Sequence, residues 1–478
     1  MLVRILLSSF AVLMILSTGT VAQQSSARAS RERAAAVPAA KDSLTPSPPD
    51  AAITAAVKEI SAGQIRHTIE WLASFGNRNT LSVEQPAAGG RGIVAARDWI
   101  KSGFERYSKA CGGCLEVGLD TFTEPPADRI PKPTQISNVY AILRGSDPEN
   151  SKRIYLVTGH YDSRNSDTLN TNDPAPGAND DASGTAVSLE CARVLSQRKF
   201  PATIIFLAVA GEEQGLNGSQ HFAKMAKEKG WQIEAVLNND IVGGNQTPGD
   251  KLQDFSTVRV FSEGVPAAAT DKELSLLRAL GGENDSASRQ LARYVQEVGS
   301  KYSGKTFHPT LIFRRDRYLR GGDHTAFNQQ GVAAVRFTEW REDYNHQHQN
   351  VRTENGIEYG DLPKFVNFDY VANVARLNAA TLASLASAPA PPSNVRLLTK
   401  QLENSSTLAW EPSPGGLAEG YEVLWRDTIS PYWQHARRVA KAETGLTLPV
   451  SKDNVIFAVR AVGGRGNASL AVVPLPDR

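Results

Sequence analysis

Cysteine is scarce, with three in 478 residues, and that scarcity narrows what the thiols can do. Cys111 and Cys114 form a Cys-Gly-Gly-Cys pair ahead of the strand-like Leu115-Glu116-Val117. A zinc knuckle needs a second ligand pair, which is missing, and a redox motif sits at the start of a helix after a strand, which this pair does not. A small local disulfide is the expected state in an exported chain. Cys191, in a helical stretch, is expected to be packing rather than chemistry. Beyond the N-terminus there is also no long apolar run, which excludes stable membrane insertion of the mature chain. Dense Lys/Arg stretches are equally absent, and the formal net charge is only +2, so nucleic acid is not the expected partner.

The N-terminus is the exception. Arg4 precedes a mostly apolar run, residues 5–16, followed by the small-residue signal Thr20-Val21-Ala22. The run is shorter than the roughly 20 residues that a membrane span requires. It predicts a secretory signal peptide over residues 1–22 and a secreted or periplasmic protein. Residues 23–50 are rich in Ala, Ser, Arg and Pro without periodicity, and are expected to be a disordered linker.

With 478 residues the chain is too long for one compact core. Helical spacing marks residues 53–75 and 93–107. Short apolar runs at 136–143, 154–157, 203–210 and 233–237 suit buried strands, and helical stretches at 182–195, 219–229 and 287–302 lie between or after them. This alternation predicts an α/β fold, a three-layer sandwich with a largely parallel central sheet, over residues 51–387. Its last helix is placed at about 365–386. Residues 388–393, containing Ala388-Pro389-Ala390-Pro391-Pro392, read as an exposed linker, which makes the parts on either side separable. Residues 394–478 give short alternating segments at 395–397, 406–410, 421–426, 446–450 and 456–461, a small all-β sandwich. Leu408-Ala409-Trp410, Gly420-Tyr421-Glu422-Val423 and the late Phe457-Ala458-Val459-Arg460-Ala461-Val462 resemble a fibronectin type III module. No site is visible in it; binding of substrate or a surface polymer, a spacer and a cleavable appendage are its open readings.

Chemistry gathers where strands end. The run at 154–157 leads into His160-Tyr161-Asp162-Ser163, the run at 203–210 into Gly211-Glu212-Glu213, and the run at 233–237 into Asn238-Asn239-Asp240. Between the first two lies Gly177-Ala178-Asn179-Asp180-Asp181-Ala182-Ser183-Gly184. Residues just past the carboxyl ends of parallel strands collect at one sheet edge, so these groups are expected to converge. One imidazole with several carboxylates and no thiolate suits zinc held by N and O donors at a reactive site. The adjacent Glu212 and Glu213 repel unless a cation or shared proton intervenes, which divides them naturally into one ligand and one general base.

These motifs, in this order, resemble the co-catalytic zinc aminopeptidases, a family that includes glutamate carboxypeptidases and the transferrin receptor ectodomain. Gly322-Asp323-His324-Thr325-Ala326-Phe327, Gly331-Val332-Ala333-Ala334 and Asn345-His346-Gln347-His348-Gln349-Asn350 extend the likeness, which covers roughly residues 55–385. The resemblance implies two Zn2+ per chain and hydrolysis of N-terminal residues from peptides or proteins, by a water held between the ions and deprotonated by Glu212. It implies that Asp180 bridges the ions, that His160 and Asp240 hold one, and that Glu213 and a late histidine hold the other. Asp162 would orient His160 and is counted with Glu212 among the catalytic residues. The family's last ligand sits in a His-Thr-x-x-Asp frame; His346 fits it with Asn350 in place of the Asp, so His346 is expected as the ligand and His348 is the alternative. Asp323-His324 is expected to be a supporting pair. A carboxypeptidase gripping a substrate carboxylate with Arg314, Arg315, Arg317 and Arg320, a one-zinc glutaminyl cyclase and a non-catalytic binding ectodomain are the competing readings.

Overall fold

The computed structural model describes residues 42–84, 90–400 and 402–477; the predicted signal peptide and most of the predicted linker lie outside them. Two helices, α1 (Ala51–Lys58) and α2 (Ala62–Ser74), replace the single helical run expected at 53–75. The break falls at Ser61, whose hydroxyl caps the second helix by accepting from the Gln64 amide at 3.3 Å. Then follow α3 (Gly92–Ala110), β1 (Leu115–Glu124), β2 (Thr134–Leu143), β3 (Arg153–His160), α4 (Ala182–Leu195), β4 (Thr203–Val209), α5 (Asn217–Glu228), β5 (Gln232–Asn239) and β6 (Thr257–Ser262). The domain is completed by α6 (Asp271–Leu280), α7 (Ala287–Tyr302), β7 (His308–Ile312), α8 (His324–Gln329), β8 (Ala334–Glu339), a small hairpin of β9 (Arg352–Glu354) and β10 (Ile357–Tyr359), and α9 (Phe368–Ser387).

Eight strands form one mixed sheet in the order β1-β2-β4-β3-β5-β8-β6-β7. The central β4, β3, β5 and β8 are parallel, and β1, β2 and β6 supply the antiparallel pairings. β3 and β4 are buried along their whole length, as expected of strands covered on both faces. One face, with Tyr155, Val157, Phe206 and Leu237, packs on α1–α4, α7 and α9. The other, with Leu156, Leu207 and Val236, packs on α5 and α8. α9 is buried on nearly every side, which its Ala- and Leu-rich sequence permits. Among the described residues no helix is long and apolar enough to cross a membrane. Cys111 and Cys114 are disulfide-bonded, and Cys191 is free and buried.

The C-terminal part is a sandwich of β11 (Ser393–Leu398), β12 (Ser406–Glu411), β13 (Ala418–Asp427), β14 (His435–Ala440), β15 (Gly445–Leu448), β16 (Val455–Gly463) and β17 (Leu475–Asp477). A four-stranded sheet, β15-β12-β11-β17, faces a three-stranded one, β14-β13-β16, across Trp410, Tyr421, Val423 and Val459.

Two expectations about the joins need correction. The segment at 388–392 is not exposed: Ala388 and Ala390 are buried, the Ala388 carbonyl accepts from Arg153 Nη1 at 2.9 Å, and the Ala390 carbonyl accepts from Ser413 Oγ at 2.6 Å. Pro and Ala are as compatible with a packed extended segment as with a loose one, so composition alone misleads here. Likewise, residues 42–50 are ordered. Asp42 is ion-paired to Arg437 at 2.6 Å, the Asp42 carbonyl accepts from Ala436 N at 2.8 Å, and Leu44 N donates to Gln434 O at 3.0 Å, so the segment pairs with the free edge of β14. The two parts are also joined by ion pairs, one buried and one half-buried. Arg426 grips Asp285 at 2.7 and 2.8 Å, and Arg460 meets Glu297 at 2.7 Å.

Candidate metal centre

The carboxyl ends of β3, β4 and β5 bring His160, the Glu212-Glu213 turn and Asp240 to one edge of the sheet. The loop entering α4 adds Asp180, and the loop after β8 adds a histidine. Two sets of donors result, His160, Glu212 and Asp240 in one and Asp180, Glu213 and His348 in the other, the candidate ligand atoms of each lying within 4.8 Å of one another. Asp180 joins the sets. Its Oδ1 lies 3.1 Å from His160 Nε2 and its Oδ2 lies 2.8 Å from His348 Nε2. Glu213 Oε1 is 2.9 Å from His348 Nε2, and Asp240 Oδ1 is 3.9 Å from His160 Nε2. A carboxylate with one oxygen toward each set is what an ion-bridging ligand requires.

The donors fit metal on their own chemistry. His160 Nε2 is fully buried and makes no well-directed hydrogen bond; what it faces is the Asp180 carboxylate at 3.1 Å, a poorly satisfied pairing that an ion held between the two would relieve. Its other nitrogen, Nδ1, is hydrogen-bonded to the Asp162 backbone carbonyl at 3.2 Å, with Asp162 Oδ1 at 3.3 Å beside it. Asp162 is held in turn by Thr80 Oγ1 at 3.0 Å and the Glu213 amide at 3.2 Å, the carboxylate–histidine arrangement that aims a ligand.

The structure does not bring His346, the late histidine expected from sequence, to the donor sets. His346 Nδ1 faces Asn245 Oδ1 at 3.0 Å, and its ring stacks on Phe365 at 3.7 Å, outside both donor sets. His348 takes the position instead. The cause is local backbone: His346 and Gln347 sit in a turn whose amides donate to Asp343 O at 3.1 Å, and His348 then adopts a left-handed φ of 57° that swings its ring inward. Asn350, which made the frame look right, accepts from Ser166 N and Oγ at 3.1 and 2.7 Å, away from the centre.

A family profile described as Peptidase family M28 matches residues 138–365. Over 436 residues the chain is 48% identical to a probable zinc metalloprotease of Pyrenophora teres f. teres (strain 0-1), covering 91% of this chain and 89% of that protein. The chain belongs to peptidase family M28. A second relative, a probable zinc metalloprotease of Leptosphaeria maculans, is 46% identical over 90% of this chain and 98% of its own length. Among solved structures, the LapA aminopeptidase of Legionella pneumophila is similar at 22% identity and a TM-score of 0.48, over 70% of this chain and 74% of that one. Both donor sets and Asp162 fall inside the M28 span.

Electrostatics show how strongly this M28 centre demands positive charge. Burial alone would lower the His348 pKa, but Glu213 and Asp180 outweigh it and raise it to about 10. His160 is likewise raised, against burial, by Asp162 and Asp180. Half-buried Glu212 is pushed well above the usual carboxylate range by burial, with the charge of Glu213 adding, against the opposing effect of His160. Both histidine shifts have the same source, carboxylate charge gathered at this edge, which a bound cation would offset.

Supporting residues surround the centre, and three of them, Arg164, Asp361 and Arg78, carry no signal in the sequence. Arg164 binds Glu213 Oε2 through Nε at 2.8 Å and His348 Nδ1 through Nη2 at 2.6 Å. Asp361 accepts from the Asn179 and Asp180 amides at 2.8 and 2.7 Å, and buried Arg78 donates to four carbonyls around the same loop. Gln347 donates to Asp180 Oδ2 at 3.0 Å. Asp323 is buried close to the centre, and burial pushes it up to about 7, while His324 Nε2 is bound to the Arg315 carbonyl at 2.9 Å. Asp181 is structural: its oxygens accept from the His160, Gly184 and Ile241 amides at 3.0, 2.9 and 3.3 Å.

Proposed function

We propose that this chain is an exported zinc metallopeptidase that removes N-terminal residues from peptides. Membership of M28 and the likeness to probable zinc metalloproteases support the zinc peptidase reading. The observation that carries it is Asp180, set with one oxygen toward each of two complete donor sets that contain no thiolate. Two ions are the expected load, against the single zinc of a cyclase. Bound there, the ions would polarise the scissile carbonyl and acidify a water toward neutral pH.

The remaining work falls to side chains. Glu212 lies with His160 and Asp240 in the first set, but in this reading it is left free of the ion, takes the proton of the attacking water and returns it to the leaving amine. Asp162 keeps the His160 ring aimed, and Arg164 does the same for Glu213 and His348. An N-terminal α-ammonium is the substrate charge that suits this carboxylate-rich edge. A carboxypeptidase would need cations free to bind the C-terminal carboxylate, and two of the four candidate arginines, with Arg336 behind them, are already engaged. Arg317 and Arg320 both pair with Glu342, at 2.7 and 3.2 Å, and Arg336 pairs with Asp240 at 2.9 Å. The N-terminal signal motif supports export, and the fibronectin-like pattern of the sandwich suits a spacer or a module that meets large substrates.

A panel of aminoacyl-nitroanilides, the same compounds N-acetylated, N-blocked dipeptides with free carboxyl ends, and N-terminal glutaminyl peptides tests the reading. Free N-termini should be cleaved and acetylated ones left intact. Turnover confined to the N-blocked dipeptides, or cyclisation of the glutaminyl peptides without hydrolysis, would overturn it.

A further inference from the structure

Arg336 lies on β8, is fully buried, and was not singled out by its sequence context. Its guanidinium is fixed on every side. Nε donates to Thr338 Oγ1 at 2.9 Å, and Nη1 donates to Gly321 O at 2.9 Å and to Asp316 Oδ2 at 3.2 Å. Nη2 reaches Asp240 Oδ1 at 2.9 Å. That oxygen is also the one facing His160 Nε2, 3.9 Å away.

The other donor set also has an arginine, but placed differently. Arg164 binds Oε2 of Glu213 and leaves Oε1 to face His348 and the space between the sets. On that side the oxygen held by the guanidinium and the oxygen turned toward the donor set are different atoms. At Asp240 they are the same atom, so an ion shares its lone pairs with a fixed cation. A guanidinium cannot release its charge in a protein, and this one has too many partners to swing away.

We propose that Arg336 is a positioning residue that makes the two metal positions unequal: it weakens the ion held by His160 and Asp240, while the position at Asp180, Glu213 and His348 binds tightly. The inference rests on the two-ion reading above. Its consequence is an enzyme with one resident ion and one that loads or leaves according to the metal supply.

The test is equilibrium zinc titration of the chelator-stripped full chain against a competing chelator, repeated with cobalt, whose visible absorption reports each position as it fills. The wild type should bind two ions in separated steps. Arg336→Met should tighten the second step by about tenfold or more, the scale on which groups behind metal ligands act, and leave the first step in place. Arg336→Lys, which keeps the charge but not the two-pronged grip, should restore part of the gap, and it carries the test if the Met variant does not fold. Two ions in the wild type with the second step unchanged or weakened in Arg336→Met would overturn the role of Arg336. A single ion at every zinc concentration would instead overturn the two-ion reading itself.

Discussion

The ion pair between Asp285 and Arg426 decides whether the C-terminal sandwich is a part of the enzyme's fold or an attachment to it. Both side chains are almost completely buried, 5% and 2% exposed, and they meet through two contacts at 2.7 and 2.8 Å. Removing one partner of a buried pair typically costs about 3–5 kcal/mol, because the other charge is left without compensation. Arg426→Met belongs near the lower end, since Asp285 keeps Arg293 at 3.3 Å. Asp285→Asn leaves Arg426 with backbone carbonyls and a neighbouring guanidinium, and should cost at least as much. Together the two changes remove both charges, so the double variant should lose about 3 kcal/mol rather than the roughly 6 of simple addition. Urea unfolding of the four proteins, followed by tryptophan emission and by activity, gives the cycle. Costs that add to within about 0.5 kcal/mol would refute the coupling. So would a chain ending near Ser387 that unfolds at the same urea concentration as the whole.

Three further outcomes follow from the centre. His348→Ala should lose one of two zincs by metal analysis and His346→Ala should keep both; the reverse would restore the sequence-based ligand. Glu212→Gln should retain the metal content and the fold while lowering kcat by at least about 10²-fold, and metal loss in that variant would make Glu212 a ligand rather than the base. His324 is lowered by burial from 6.5 to about 4, so the unfolded chain takes up a proton that the folded one refuses. Its contribution is complete above pH 6.5 and is lost as pH falls toward 4, about 3 kcal/mol in all. In chelated protein His324→Gln should flatten the stability profile between pH 4 and 6.5, and an unchanged slope would show that another group sets it.

The alternation of short apolar runs with helical stretches was enough to place the central sheet, because β3, β4 and β5 are covered on both faces and so carry continuous apolar sequence. β8 and β6 have no such continuous run. Ala-Val-Arg-Phe-Thr-Glu and Thr-Val-Arg-Val-Phe-Ser each set polar groups between apolar ones, and in β8 the arginine is buried only because Asp240 and Asp316 wait for it. The strand ends that carry the donor groups are legible for the same reason as the strands. The late histidine was not, since choosing between His346 and His348 depends on a left-handed turn that spacing cannot reveal. Nor could sequence foresee Arg164, Arg336 or Asp361, whose partners lie 49, 96 and 181 residues away.

Asp42 and its partner Arg437 are separated by 395 residues. At about 5–20 residues per second of synthesis, the first waits some 20–80 seconds for the second to exist. Once β14 (His435–Ala440) has been made, and until the strap docks, its outer edge is unprotected, and its amides and carbonyls can pair with any extended chain nearby. The strap therefore acts as a closing seam, and its loss would show less in catalysis than in self-association. Chains trimmed to begin at Ala51 should form strand-paired oligomers through residues 435–440 even when their metal centre is intact.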